Sequence, residues 1–77
     1  MHELGITRNV VAICAEAAAG APVKRVTLVI GKNSAVMPDS VRFCFDICAK
    51  GTVLEGARLD IEEPEGNELK VREMETA

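Results

Sequence analysis

The order in which the apolar spacing changes along the chain restricts its fold more than any other feature. The spacing runs three-to-four, then two, then three-to-four, then two and two again. From about Glu3 to Ala19, residues Ile6, Val10, Ile13, Cys14 and Ala17 recur at helical steps and share one face. Glu3, Thr7, Arg8, Asn9 and Glu16 are spread over the remainder. Gly20 and Pro22 end this helix, since glycine accepts a left-handed cap and proline cannot continue the ladder. Over Lys24–Gly31, Val26, Leu28 and Ile30 alternate with Arg25, Thr27 and Val29, the period-two pattern of a strand. Lys32–Met37 reads as a loop. Pro38-Asp39-Ser40 opens a second helix, because the first turn leaves unpaired the amide hydrogen that proline lacks. That helix runs to about Lys50, before Gly51. Its buried stripe is Val41, Cys44, Phe45 and Cys48, with Ile47 alongside, and Arg42, Asp46 and Lys50 form a solvated row.

Two further strands are predicted. Ala57, Leu59 and Ile61 alternate with Arg58, Asp60 and Glu62; Leu69 and Val71 alternate with Lys70 and Arg72. Pro64-Glu65-Gly66-Asn67 between them has the chemistry of a type I turn closed by a left-handed glycine. An antiparallel pair would then set the acidic outer row of the first strand against the basic outer row of the second. The alternation slips at Glu73-Met74, which predicts a bulge or a frayed end. The order α-β-α-β-β predicts an α/β (α+β) fold in one domain over residues 1–77. Two amphipathic helices would pack on a three-stranded mixed sheet.

Composition narrows the function classes. With 77 residues there is room for one modest core, worth on the order of 3–5 kcal/mol, so a homodimer or another partner could add stability. The only aromatics are Phe43 and Phe45. A net charge of −3 without a block of Lys or Arg offers no footprint for nucleic acid or an anionic membrane. No apolar run approaches the ~18 residues of a membrane span. The start lacks the features of a secretory signal, and three cysteines do not make a disulfide framework. A cytoplasmic, reduced protein is expected. No Ser-His-Asp or Cys-His pairing and no glycine-rich phosphate loop is present, so an enzyme is not expected.

The chemistry lies in Met1-His2-Glu3. A histidine at position two lets the free terminal amine, the residue-two amide nitrogen and imidazole Nδ1 close adjacent chelate rings on one metal. The Glu3 amide nitrogen can complete a four-nitrogen plane. That plane suits nickel(II) or copper(II), whose d-electron count favours square-planar geometry, and suits zinc poorly. Many chains begin Met-His with an exposed histidine and no metal, so position alone leaves both readings open.

Six segments in register resemble the HypA family of hydrogenase nickel-incorporation proteins. They are Met1-His2-Glu3-Leu4-Gly5-Ile6; Arg25-Val26-Thr27-Leu28-Val29-Ile30-Gly31; Ser34-Ala35-Val36-Met37-Pro38-Asp39; Val41-Arg42-Phe43-Cys44-Phe45-Asp46; Gly51-Thr52 followed by Glu55-Gly56-Ala57; and Gly66-Asn67-Glu68-Leu69. The resemblance implies a nickel(II) metallochaperone that works with a HypB-like GTPase. It would serve the large subunit of nickel–iron hydrogenase and, in some organisms, urease maturation. It further implies Met1 and His2 as metal ligands, with Glu3 contributing backbone and tuning the site. Asp39, at the start of the second helix, corresponds to an acidic residue near the metal in some members; a carboxylate stabilising the helix dipole explains Asp39 equally well.

One departure stands out. The family normally carries a zinc lobe of two Cys-x-x-Cys pairs between its last two strands, whereas here Ile61-Glu62-Glu63-Pro64 runs straight into Glu65-Gly66-Asn67. The lobe is expected to be absent between about Pro64 and Gly66, lost naturally or by internal deletion. Cys14, Cys44 and Cys48 do not supply four converging thiolates and read as core filler, so no zinc site is expected. The short connection could also drive strand exchange between two chains. The alternative to a working chaperone is an interaction module, lacking the lobe, that docks on the GTPase without productive metal transfer.

Overall fold

The computed structural model describes residues 2–77. Helix α1 (His2–Ala18) leads into strand β1 (Val23–Ile30), helix α2 (Pro38–Ala49), strand β2 (Arg58–Glu62) and strand β3 (Leu69–Thr76). The fold class and the element order are those expected. Ala19 and Gly20 both take positive φ, 51° and 91°, and end α1 as the Gly20-Pro22 signal implies. The helical stripe sits slightly differently from its prediction. Thr7, Val10, Val11, Cys14 and Ala18 are buried, while Ile13 is exposed. Thr7 is tolerated inside because its hydroxyl donates to the Glu3 carbonyl at 2.6 Å. On α2, Val41, Cys44, Phe45 and Ala49 are buried, and Ile47 faces outward.

The sheet order is β2-β1-β3. β1 pairs in parallel with β2, reached through the α2 crossover, and antiparallel with β3. The expected hairpin between the last two strands is therefore absent: β1 lies between them. One ion pair of that hairpin survives across the intervening strand, Arg72 Nε to Glu62 Oε1 at 3.1 Å. Segment 63–68 instead straps across the end of β1. Gly31 and Lys32 donate backbone hydrogen bonds to Glu68 and Pro64, and Asn33 donates to Gly66. Gly66, with φ +103°, turns the strap. The approach is so close that a Cβ on Gly31 would sit 2.3 Å from the Gly66 carbonyl oxygen. Strand pairing on β3 continues to Thr76, with a register shift between Thr27 and Leu28 that leaves Arg72 as the extra residue.

The helices cover one face of the sheet. Val26, Leu28 and Ile30 join Val10, Cys14, Val41 and Phe45 in one apolar cluster, with Leu54 fully buried. The other face is open and charged. Arg25 reaches Asp60, Glu73 and Glu75 at 3.6, 3.2 and 3.3 Å, and its Nη1 donates to Thr27 Oγ1 at 2.7 Å. Glu73 and Glu75 push the Arg25 guanidinium pKa up, chiefly through the hydrogen bond that Arg25 donates to Glu73. Thr27, bonded to Arg25, and Val29 are both buried on this face without a second layer of helix. Among the described residues no helix is long and apolar enough to cross a membrane.

Candidate metal centre

The first turn of α1 meets the start of α2 through one side chain. Glu3 Oε2 accepts the Met37 backbone N–H at 3.3 Å and lies 3.1 Å from His2 Nε2. Met37 is the N-cap residue of α2 and makes no side-chain cap of its own. Glu3 thus does from another helix what a capping-box glutamate does within one. Its carbonyl is held by Thr7, so the residue is fixed at both its backbone and its carboxylate. The Glu3 side chain is only 13% exposed, whereas the His2 side chain is 64% exposed.

This contact turns His2 in a chemically useful way. With Nε2 beside the carboxylate, Nδ1 is the ring nitrogen left for a metal, and a carboxylate on the far nitrogen fixes ring orientation and tautomer. The first helical amides have no intrahelical acceptor. Removing a proton from the His2 or Glu3 nitrogen therefore breaks no helical hydrogen bond. Asp39 joins the same neighbourhood. A cleft of about 390 Å³ is lined by Glu3 and Leu4 of α1 with Asp39, Phe43, Cys44 and Ile47 of α2. Of the residues expected at the site, the structure brings His2, Glu3 and Asp39 to one end of the helical layer. Met1 lies outside the described residues.

Among the described residues no three His, Cys, Asp or Glu side chains gather into a metal-holding cluster. A plane built mainly from backbone nitrogens has no need of one. The cysteines are free and distributed over both helices: Cys14 and Cys44 are buried and Cys48 half-buried. Burial pushes the Cys14 thiol pKa up, which keeps it protonated and inert. Sequence reasoning missed Met37 and Thr7. Thr7, four residues after Glu3, carried a legible signal in its spacing for a hydroxyl bond back to the carbonyl. Met37 contributes only its amide, for which no residue type is a signature.

Comparison with known proteins gives the site its context. Residues 1–69 match the family model described as hydrogenase/urease nickel incorporation, metallochaperone, hypA, a description of a metal carrier rather than a catalyst. The hydrogenase maturation factor HypA of Rippkaea orientalis is 72% identical over 61 residues, covering 79% of this chain and 54% of that protein. HypA of Geobacter metallireducens is 53% identical over 66 residues, covering 86% of this chain and 60% of that protein. The chain thus spans little more than half the length of these relatives. The solution structure of the nickel metallochaperone HypA from Helicobacter pylori superposes with a TM-score of 0.81 over 96% of each chain, at 18% identity, a likeness of fold. By its sequence over residues 1–69, this chain belongs to the HypA family of hydrogenase/urease nickel-incorporation proteins.

Proposed function

We propose that the chain is a nickel(II) metallochaperone that takes its cargo at Met1-His2-Glu3 and passes it on in nickel–iron hydrogenase maturation. The observation that carries this reading is the turn of His2, whose Nε2 lies against Glu3 and whose Nδ1 is left for the metal. The terminal amine, the His2 amide and Nδ1 supply three nitrogens, and the Glu3 amide completes the plane that nickel(II) favours. Glu3 keeps the turn against α2 by its bond to Met37. Asp39 adds a second carboxylate beside the bound cation, in the cleft it lines with Glu3. Binding releases protons, so affinity rises with pH.

In this reading the partners are a HypB-like GTPase and the hydrogenase large subunit, with urease maturation proteins where that pathway exists. The setting is the cytoplasm, where free thiols persist. The chain carries no zinc, because it lacks the four-cysteine lobe. A second reading, an interaction module docking on the GTPase without productive transfer, draws on Phe43 and Ile47, which are 72% and 56% exposed beside the cleft.

A nickel titration of untagged protein, followed by absorbance and calorimetry beside His2→Ala, tests the site. The expected result is one equivalent bound with a square-planar d–d band, and neither in the variant. The His2→Ala fold is expected to stay within about 0.5 kcal/mol of the parent, as for exposed positions in general. Binding indifferent to the substitution, or to acetylation of the terminal amine, would leave only the docking role.

A further inference from the structure

β3 is an edge strand with one side paired to β1, and among the described residues nothing pairs with its other side. Such an edge presents a row of unpaired backbone donors and acceptors. Its faces are set by its register on β1. Lys70, Glu73 and Glu75 oppose Val29, Thr27 and Arg25 on the open face, while Val71 and Met74 oppose Leu28 and Val26 on the helix-covered face. Arg72, the extra residue of the bulge, reaches over the open face to Glu62.

The run Lys70-Val71-Arg72-Glu73-Met74-Glu75 is self-complementary when read against a reversed copy of itself. About an axis between Arg72 and Glu73, Arg72 meets Glu73, Val71 meets Met74 and Lys70 meets Glu75. Every charge faces its opposite, every apolar residue faces an apolar one, and both members of each pair lie on the same face of the sheet. Sliding the copies by two residues destroys the match in either direction, placing Val71 opposite Arg72 or Glu73 opposite Met74. Alternating charge on an edge ordinarily discourages pairing. Here its arrangement discourages every register near this one while favouring this one.

A second feature points the same way. Alongside β3 runs an apolar groove of about 200 Å³, lined by Ile6, Val10, Ile13, Leu28, Leu69 and Val71. Ile13 is 60% exposed, and Val71 and Met74 are half-buried. A strand added at this edge extends the helix-covered face and removes these side chains from water.

We propose that two copies of this chain associate by antiparallel pairing of their β3 edges about a two-fold axis between Arg72 and Glu73, forming a continuous six-stranded sheet. The contact is isologous, with the same patch used by both subunits. It is distinct from strand exchange, because each β3 stays on its own β1. It is also independent of the nickel reading, since it uses none of those residues.

Sedimentation equilibrium of the untagged chain, with Arg72→Glu and Glu73→Arg made separately, decides the matter. The unmodified chain is expected to reach dimer mass with rising concentration. Each single reversal sets like charges against each other twice and is expected to weaken association about tenfold. An equimolar mixture of the two variants is expected to regain dimer mass, because the reversed positions then meet with opposite signs across the axis. A chain monomeric at all concentrations, a dimer indifferent to both reversals, or a mixture that stays monomeric would each overturn the proposal. Circular dichroism checks the fold of each variant. Should either unfold, hydrogen exchange on the unmodified chain answers instead: the outward β3 amides must gain protection as concentration rises, and a lack of gain overturns the pairing.

Discussion

The first turn of α1 and the crossing at Gly31 both join parts of the chain that are far apart in sequence, and they do so by opposite means. At the first turn, one carboxylate reaches from Glu3 to the Met37 amide, with a largely solvent-exposed histidine beside it. At the crossing, backbone lies on backbone: Gly31, Lys32 and Asn33 donate to the strap, with no room for a methyl group between the two segments. The first join can be altered atom by atom at small cost to the fold. The second is part of the fold. Under the function proposed above, loading and unloading of nickel would fall on the first kind of join, where local opening leaves the core untouched.

The contrast breaks most clearly at Gly31. Gly31→Ala places a Cβ within 2.8 Å of three backbone atoms of Gly66 and Glu68, none of which can rotate away. A loss of about 2–4 kcal/mol is expected, in the range of overpacking and strain effects, with a melting temperature lower by more than ~10 °C. Nickel stoichiometry below the transition is expected to be unchanged. A stable Gly31→Ala protein would show that the strap yields, and that the two joins differ less than their geometry implies.

A middling effect is expected at Glu3. Glu3→Ala leaves the Met37 N–H at the start of α2 without its acceptor, a loss of about 1 kcal/mol by analogy with helix caps. Urea unfolding measures it. Glu3→Gln retains an acceptor oxygen and is expected to recover most of that loss, so equal effects from the two variants would rule out the clamp. The smallest effect belongs to the open sheet face. The Arg58 guanidinium, hydrogen-bonded to Asp60, holds that carboxyl below its usual value of 3.8, and Arg25 adds to the shift. A depressed carboxylate contributes stability that is present above its unfolded value and lost as pH falls through its folded value. Carbon-detected NMR titration is expected to show Asp60 protonating at lower pH than an unpaired aspartate, and Arg58→Ala to move it upward. An unshifted Asp60 would make the network ornamental.

Legibility followed locality. Both helices and β1 were readable because each buries one face, and periodicity records which face that is. Thr7 and Ile13 show where this signal slips: a threonine that bonds back to its own helix passes inside, and an isoleucine beside an uncovered edge stays out. The neighbour of β3 was not readable. Pro64-Glu65-Gly66-Asn67 has the local chemistry of a hairpin turn, yet the same left-handed glycine also serves a strap that steps over β1. Only the hydrogen bonds from Gly31, Lys32 and Asn33 distinguish the two. At the site, the address of His2 was plain from its position. Glu3 was named for its backbone, and the reach of its carboxylate across 34 residues to Met37 had no local trace.

The strap has a consequence for how such a chain accepts new parts. Its two ends are tied to the same short stretch just after β1, Glu68 to Gly31 and Pro64 to Lys32, so whatever lies between them enters and leaves at nearly one point. A graft there leaves every strand register as it was. The entropy of closing a flexible loop grows only with the logarithm of its length, so lengthening this one from six residues to some forty would add roughly 2 kcal/mol. The strap is thus a socket: an accessory module can be plugged in or removed while the scaffold and the distant first turn of α1 go on as before.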